Sequence, residues 1–383
     1  MLVCISPNGG AQYSGTAPLR SIRVATVEGI ASFNRDAPGA PWRRGDQLRP
    51  DLHVSALLFD PRSGLLFAGG HGSGGLWRSA DDGKTWHRLT NGLTNQHIYS
   101  VQAQYIGDKT RLWVGAEPTS LYLSDDLGTT WTERDSLRRV PEHENWTFPS
   151  PPHIGHVKGV AWHNAKPNRI FVLVEQGGLY VSQDAGLTWR ELKGYLIGDQ
   201  KFYRDAHRIC IRPSDPDQIY FATGDGLCRS EDGGETWNYL MTKEGRIGYP
   251  DAMFIDAHDE RKIVIGGPKL GPELWSKIFH SQATVLVSPD GGATWIEKAN
   301  GLNAPLKGNI EAMSMYSTAT SVDYLAGTAT GQLFLSEDGC ESWACLADDL
   351  PPISKAGHFR WFLSEEERHA VEERMRRWSG AAA

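Results

Sequence analysis

His53, His97 and His156 hold the same place in three apolar runs. Each stands six residues ahead of the apolar residue that closes its run before a polar turn, namely Phe59, Ala103 and Trp162. Counted the same way, Asp205, Tyr249 and Asn309 precede Ile211, Ile255 and Met315, and His358 is the counterpart in the later segment GHFRWFL. Neutral imidazoles converging from separate strands can bind zinc, iron, copper or manganese. His53, His97, His156 and His358 are therefore the expected ligands of a transition-metal cofactor.

Two residues further on, on the same side of a strand, lie Ser55, Tyr99, Lys158, His207, Asp251, Glu311 and Arg360. Short loops add Glu28, His71, Glu117, Glu175, Asp225 and Lys269. Glu117 and Glu175 are placed to fix an imidazole from outside or to act as general base on a metal-bound water. Asp205, His207 and Asp251 are the candidates for proton transfer. His71, Glu28, Asp225, Tyr249, Lys269 and Arg360 are the candidates for substrate contact. The chemistry this pattern suggests is metal-dependent hydrolysis, elimination or oxygenation of a small polar or anionic molecule. Two alternatives stand beside it. One is a propeller without catalysis that binds a ligand or protein. The other is a glycosidase using carboxylates of the same face, such as Glu117 with Glu175 or Asp225.

The elements that must position these residues are written in a repeat. The phrase SADDGKTW recurs as SDDLGTTW, SQDAGLTW, SEDGGETW, SPDGGATW and SEDGCESW. The closing residues Trp86, Trp131, Trp189, Trp237, Trp295 and Trp343 lie roughly 45–58 residues apart, a period typical of propeller blades. Each interval has one internal order: an alternating apolar run, a polar turn, a second strand, a third strand running into the phrase, and a fourth beginning at the Trp. Four short strands per unit make a blade. A seventh unit, RVATVEGIASFNRDAPGAPW, ends at Trp42 with a degraded phrase and no first strand of its own. GHFRWFL is expected to supply that strand, closing the ring and removing exposed edges. The expectation is an all-β, seven-bladed propeller over residues 1–363. Residues 364–383 are expected to form a C-terminal helix and tail, begun by Ser364 ahead of a run of glutamates.

The pattern S-x-D-x-G-x-T-W resembles the Asp-box, or bacterial neuraminidase repeat, family. The resemblance implies that the phrase forms the turn between third and fourth strands, on the face opposite the histidines. Box six departs from it, with Cys340 in place of Gly and Ser342 in place of Thr. The resemblance does not carry sialidase chemistry, because the arginine cluster and opening motif of that site are missing. Xyloglucanase-type members use two such propellers, and photosystem assembly factors and sortilin-like receptors share the box as binding proteins.

Composition narrows the remaining classes. A net charge of −7 spread along the chain argues against tracking nucleic-acid phosphates. No run is long enough for a membrane helix, and the N-terminus lacks the pattern of a secretion signal. Five irregularly spaced cysteines suggest reduced thiols in a cytoplasmic protein. A small-molecule substrate is the expected partner, with a protein partner as the alternative.

Overall fold

The computed structural model describes residues 1–148, 153–197 and 204–378. Seven sheets stand around a central channel. The innermost strands of blades two to seven are Val54–Asp60, Ile98–Ile106, His156–His163, Ala206–Arg212, Ala252–Ile255 and Ile310–Ser317. Each pairs antiparallel with the next strand outward. Side chains of facing sheets fill the gaps between blades. Phe67, Leu76 and Leu89 of blade two, for example, pack with Leu112, Val114, Tyr122 and Trp131 of blade three. Apolar residues on both faces of each sheet are what a stack of sheets around an axis demands.

The recurring phrase is a self-contained turn. In the first copy, Ser79 Oγ donates to Asp81 Oδ1 at 2.8 Å and accepts from the Gly83 amide at 2.8 Å. The Thr85 amide and hydroxyl donate to the two oxygens of Asp81. These bonds, the Thr85 amide foremost, hold the Asp81 carboxyl down at about 2. The indole of Trp86 donates back to the Gly83 carbonyl. Gly83 has φ +89°, a left-handed angle that suits glycine. Cys340 takes the same place in the sixth copy with φ +78°. There the same Ser and Asp bonds persist, with Ser342 replacing Thr.

Ring closure differs from the sequence expectation. The first strand of blade one is the N-terminal β1, Leu2–Ile5, which pairs parallel with Ser21–Thr26. A second N-terminal strand, β2, Gln12–Ser14, pairs parallel with Ile310–Ser317 and adds a fifth strand to blade seven. The two chain ends do meet, but GHFRWFL is not the closing strand. His358–Trp361 instead forms a short 3-10 helix across the channel mouth. Between β1 and β2 the chain runs inside the channel, touching blade two at Ser55 and Leu57 and blade three at Val101. A Cβ on Gly9 would lie 2.0 Å from the Leu57 carbonyl oxygen, so only glycine allows this approach.

Two helices sit on the mouth face: α1, Pro272–Ile278, and α2, Glu365–Trp378. Ser364 and Glu367 cap α2 reciprocally through side chain and amide. Trp275 of α1 is buried with Val27, Phe359, Phe362 and Val371, which fastens the C-terminal segment over the channel. No helix among the described residues is long and apolar enough to cross a membrane. All five cysteines are free, and only Cys345 is exposed.

Candidate functional site: a carboxylate network at the channel mouth

The inner strands share a defect that shapes this face. In blades two, three, four, five and seven the register shifts at the start of the strand, leaving Ser55, Tyr99, Lys158, His207 and Glu311 as the extra residue of a β-bulge. A bulge re-aims the side chain it carries. Lys158, His207 and Glu311 thereby reach a common buried network, whereas Ser55 bonds the Ile98 carbonyl of the next blade.

His156 and Glu175 are central to that network. His156 Nδ1 lies 3.0 Å from Glu117 Oε2 and Nε2 lies 2.8 Å from Glu175 Oε2, with the Tyr99 ring stacked at 3.5 Å. Burial disfavours the imidazolium, but its hydrogen bonds to the Glu117 and Glu175 carboxylates outweigh it and raise the pKa. Lys158 Nζ lies 3.2 Å from both Glu175 Oε1 and Asp251 Oδ1. Lys355 Nζ lies 3.1 Å from Glu175 Oε1 and 3.6 Å from Asp251 Oδ2. Burial would raise the Glu175 and Asp251 carboxyls, yet the two ammoniums hold both well below the usual range. Asn309 donates to Asp251 as well. Charges this deep are tolerated only when paired and hydrogen-bonded.

Asp205 and Tyr249 form a neighbouring group. The Tyr249 hydroxyl donates to Asp205 Oδ2 at 2.7 Å, and His207 Nε2 lies 3.2 Å from Asp205 Oδ1. Burial would raise the Asp205 carboxyl, but His207 outweighs it and the net shift is downward. Asp225 follows on the next turn, where the Gly224 amide donates to the Asp205 carbonyl at 3.0 Å. Asp225 has the opposite shift. Partial burial, with repulsion from Asp205, pushes it up to about 6.

The C-terminal segment covers this network. Ser354 and Lys355 are fully buried; Ser354 Oγ and the Lys355 amide both donate to Glu311 Oε2. Lys355 has no counterpart in the repeat, and the only sign of it in the sequence is a lysine inside the otherwise uncharged PPISKAG.

The four expected ligands are spread through this arrangement and do not form one donor set. His53 Nε2 bonds the Ser354 carbonyl at 2.9 Å. His97 faces His71 at 2.9 Å on one nitrogen and Glu117 at 3.3 Å on the other. His156 is enclosed by two carboxylates, and His358, in its 3-10 turn, lies 3.3 Å from Glu311 Oε1. Among the described residues, the metal-ligating side chains that converge are Glu175, Asp205 and His207, within 4.8 Å of one another. Glu175 is already engaged by both lysines. Of the other expected residues, Lys269 and Arg360 bond outside the network. Glu28 is buried in the turn after Ser21–Thr26. Lys269 donates to the backbone carbonyls of Glu244 and Gly245. Arg360 pairs with Glu372 of α2 at 3.3 Å. Phe148, in the loop before His156, lies edge-on to the His156 ring at 4.9 Å.

Fold and site together define a seven-bladed β-propeller with a carboxylate-rich mouth, and known proteins resemble it. No family model matches the chain. A xyloglucanase of a Paenibacillus species is 23% identical over 245 residues, 56% of this chain and 23% of that protein. The chain thus spans between 17% and 24% of the length of the curated relatives it matches. Among solved structures, an ancestral GH74 enzyme superposes with a TM-score of 0.57 at 16% identity, covering 74% of this chain and 36% of that one. YCF48 bound to a D1 peptide superposes with a TM-score of 0.54 at 13% identity, covering 87% of this chain and 95% of that one. The xyloglucanase likeness overturns the expectation of a metal-dependent hydrolase, lyase or oxygenase acting on a small anion. The carboxylate alternative fits it better.

Proposed function

We propose that the mouth face is a glycan-cleaving site of the Asp-box, xyloglucanase-like kind, working through Asp205 and Asp225 of blade five on a polysaccharide. The observation that carries this reading is the opposed setting of two adjacent carboxyls. Asp225, raised to about 6, retains its proton in weak acid and can protonate a leaving glycosidic oxygen. Asp205, held ionised beside His207 and Tyr249, serves as base or nucleophile. Asp225 is partly exposed on its turn, so a sugar chain can reach it.

The test is release of reducing ends from xyloglucan and other β-glucans by the full chain. Asp225→Asn and Asp205→Asn are each expected to lower kcat by about 10²–10⁴-fold while the circular dichroism stays native. The wild-type rate should decline as pH rises through about 6, when Asp225 loses its proton. A wild-type protein that cleaves none of these glycans, or an Asp225→Asn variant as active as wild type, refutes the proposal. A second reading, glycan or protein binding without cleavage, is favoured by the cap, because Lys355 leaves Glu175 and Asp251 fully engaged.

A further inference from the structure

The other end of the channel is open where the mouth is capped. Below the network lies a cavity of about 470 Å³, a volume typical of small-molecule sites. Its walls come from the inner strands of blades two to six, Lys158 and His207 of the network among them, together with the N-terminal stretch Asn8–Ser14. No aspartate or glutamate lines it, although the protein carries a net charge of −7. The cationic residues that do line it are Lys158 and Arg208. Lys158 is spent on Glu175 and Asp251.

Arg208 is not so engaged. Among the described residues no carboxylate lies within ion-pair distance of it. Its one hydrogen bond goes from Nη2 to the Pro7 carbonyl at 3.2 Å, and Nε has no partner. Asn8, 2% exposed, leaves its Nδ2 without an acceptor. A half-buried guanidinium whose Nε is enclosed without an acceptor can take a counter-ion, and its fork of donors matches a carboxylate or phosphate. The remaining walls mix aromatic side chains, Phe59, Trp162 and Phe254 among them, with polar ones such as Gln12, Gln102 and His163.

We propose that this cavity is a second ligand site, taking a small organic anion whose acidic group pairs with Arg208 and Asn8 and whose apolar body lies against Trp162 and Phe59. The site borders the mouth network at Lys158 and His207, but neither Asp205 nor Asp225 lines it.

Calorimetric titration with benzoate, phenyl phosphate and the neutral benzamide tests it. At least one anion should bind saturably with Kd below about 1 mM, and benzamide at least tenfold more weakly. The two anions separate carboxylate from phosphate recognition. Arg208→Gln should erase the preference for the anion. Asn8→Asp supplies an internal carboxylate beside Arg208 and should weaken anion binding at least tenfold, which keeps the test valid if Arg208→Gln fails to fold. Asp225→Asn should bind the anion as wild type does. The proposal is overturned if neither anion binds below about 1 mM, if benzamide binds equally well, or if folded Arg208→Gln keeps the preference.

Discussion

His53 and His156 respond to pH in opposite directions. Burial pushes His53 down to about 4, and it pushes His71 well below and His97 below the ordinary histidine value. An unfolded histidine titrates near 6.5. Between about 6.5 and 4, therefore, the unfolded chain takes up protons that the folded chain refuses, and stability falls as the pH drops through that window. His156 has a raised pKa, so its contribution is complete below about 6.5 and is lost as pH rises through the folded value. Urea midpoints measured from pH 7 to pH 4 should decline. His53→Gln, whose amide can still donate to the Ser354 carbonyl, should flatten part of that decline. A wild-type midpoint that is flat over this range contradicts the assignment. The histidines were the signal in the sequence most easily misread. Their places are nearly equivalent: His156 begins its inner strand, and His53 and His97 stand one residue ahead of theirs. Their chemistry was legible only in part, because Glu175, at the end of its strand, is also held by Lys355, a lysine outside the repeat.

At the scale of the element, the turn and the bulge carry most of the local specification. The turn demands a left-handed residue two places after its Asp, and Gly128 supplies it in the second copy with φ +86°. A Cβ there would also come within 2.8 Å of Leu89 Cδ1. Gly128→Ala should cost about 1–3 kcal/mol, read as a lower urea midpoint with unchanged slope. A loss under about 0.5 kcal/mol would show that the turn is softer than its hydrogen bonds imply. Cys340 accepts the same conformation in a fully buried setting beside Tyr324 and Trp343, packing its thiol where glycine would leave space. Blade strands were legible because six phrases fix their phase. The bulges were not, because nothing in the alternation of Val54–Asp60 or Ile98–Ile106 marks the inserted residue. GHFRWFL was misread for a related reason: an aromatic, alternating segment without a phrase after it has nothing to separate a strand from a short helix.

For the whole molecule, the two ends of the chain act as one closure. β1 completes blade one, β2 reinforces blade seven, and the segment from Ile353 to Phe362 seals the mouth. Deleting residues 1–14 removes both N-terminal strands and exposes the edges of Ser21–Thr26 and of the inner strand Ile310–Ser317. The truncated chain should elute as aggregate in size-exclusion chromatography, and a monomeric, cooperatively unfolding product would contradict this role. The same arrangement sets a schedule for biosynthesis. Tyr316 Oη reaches the Ala17 carbonyl across 299 positions of sequence. A ribosome adding roughly 5–20 residues per second would leave the first strands waiting about a quarter of a minute to a minute for their partners. The nascent chain therefore emerges as an unfinished circle, and a chaperone that shields its leading segment during that interval would improve its yield.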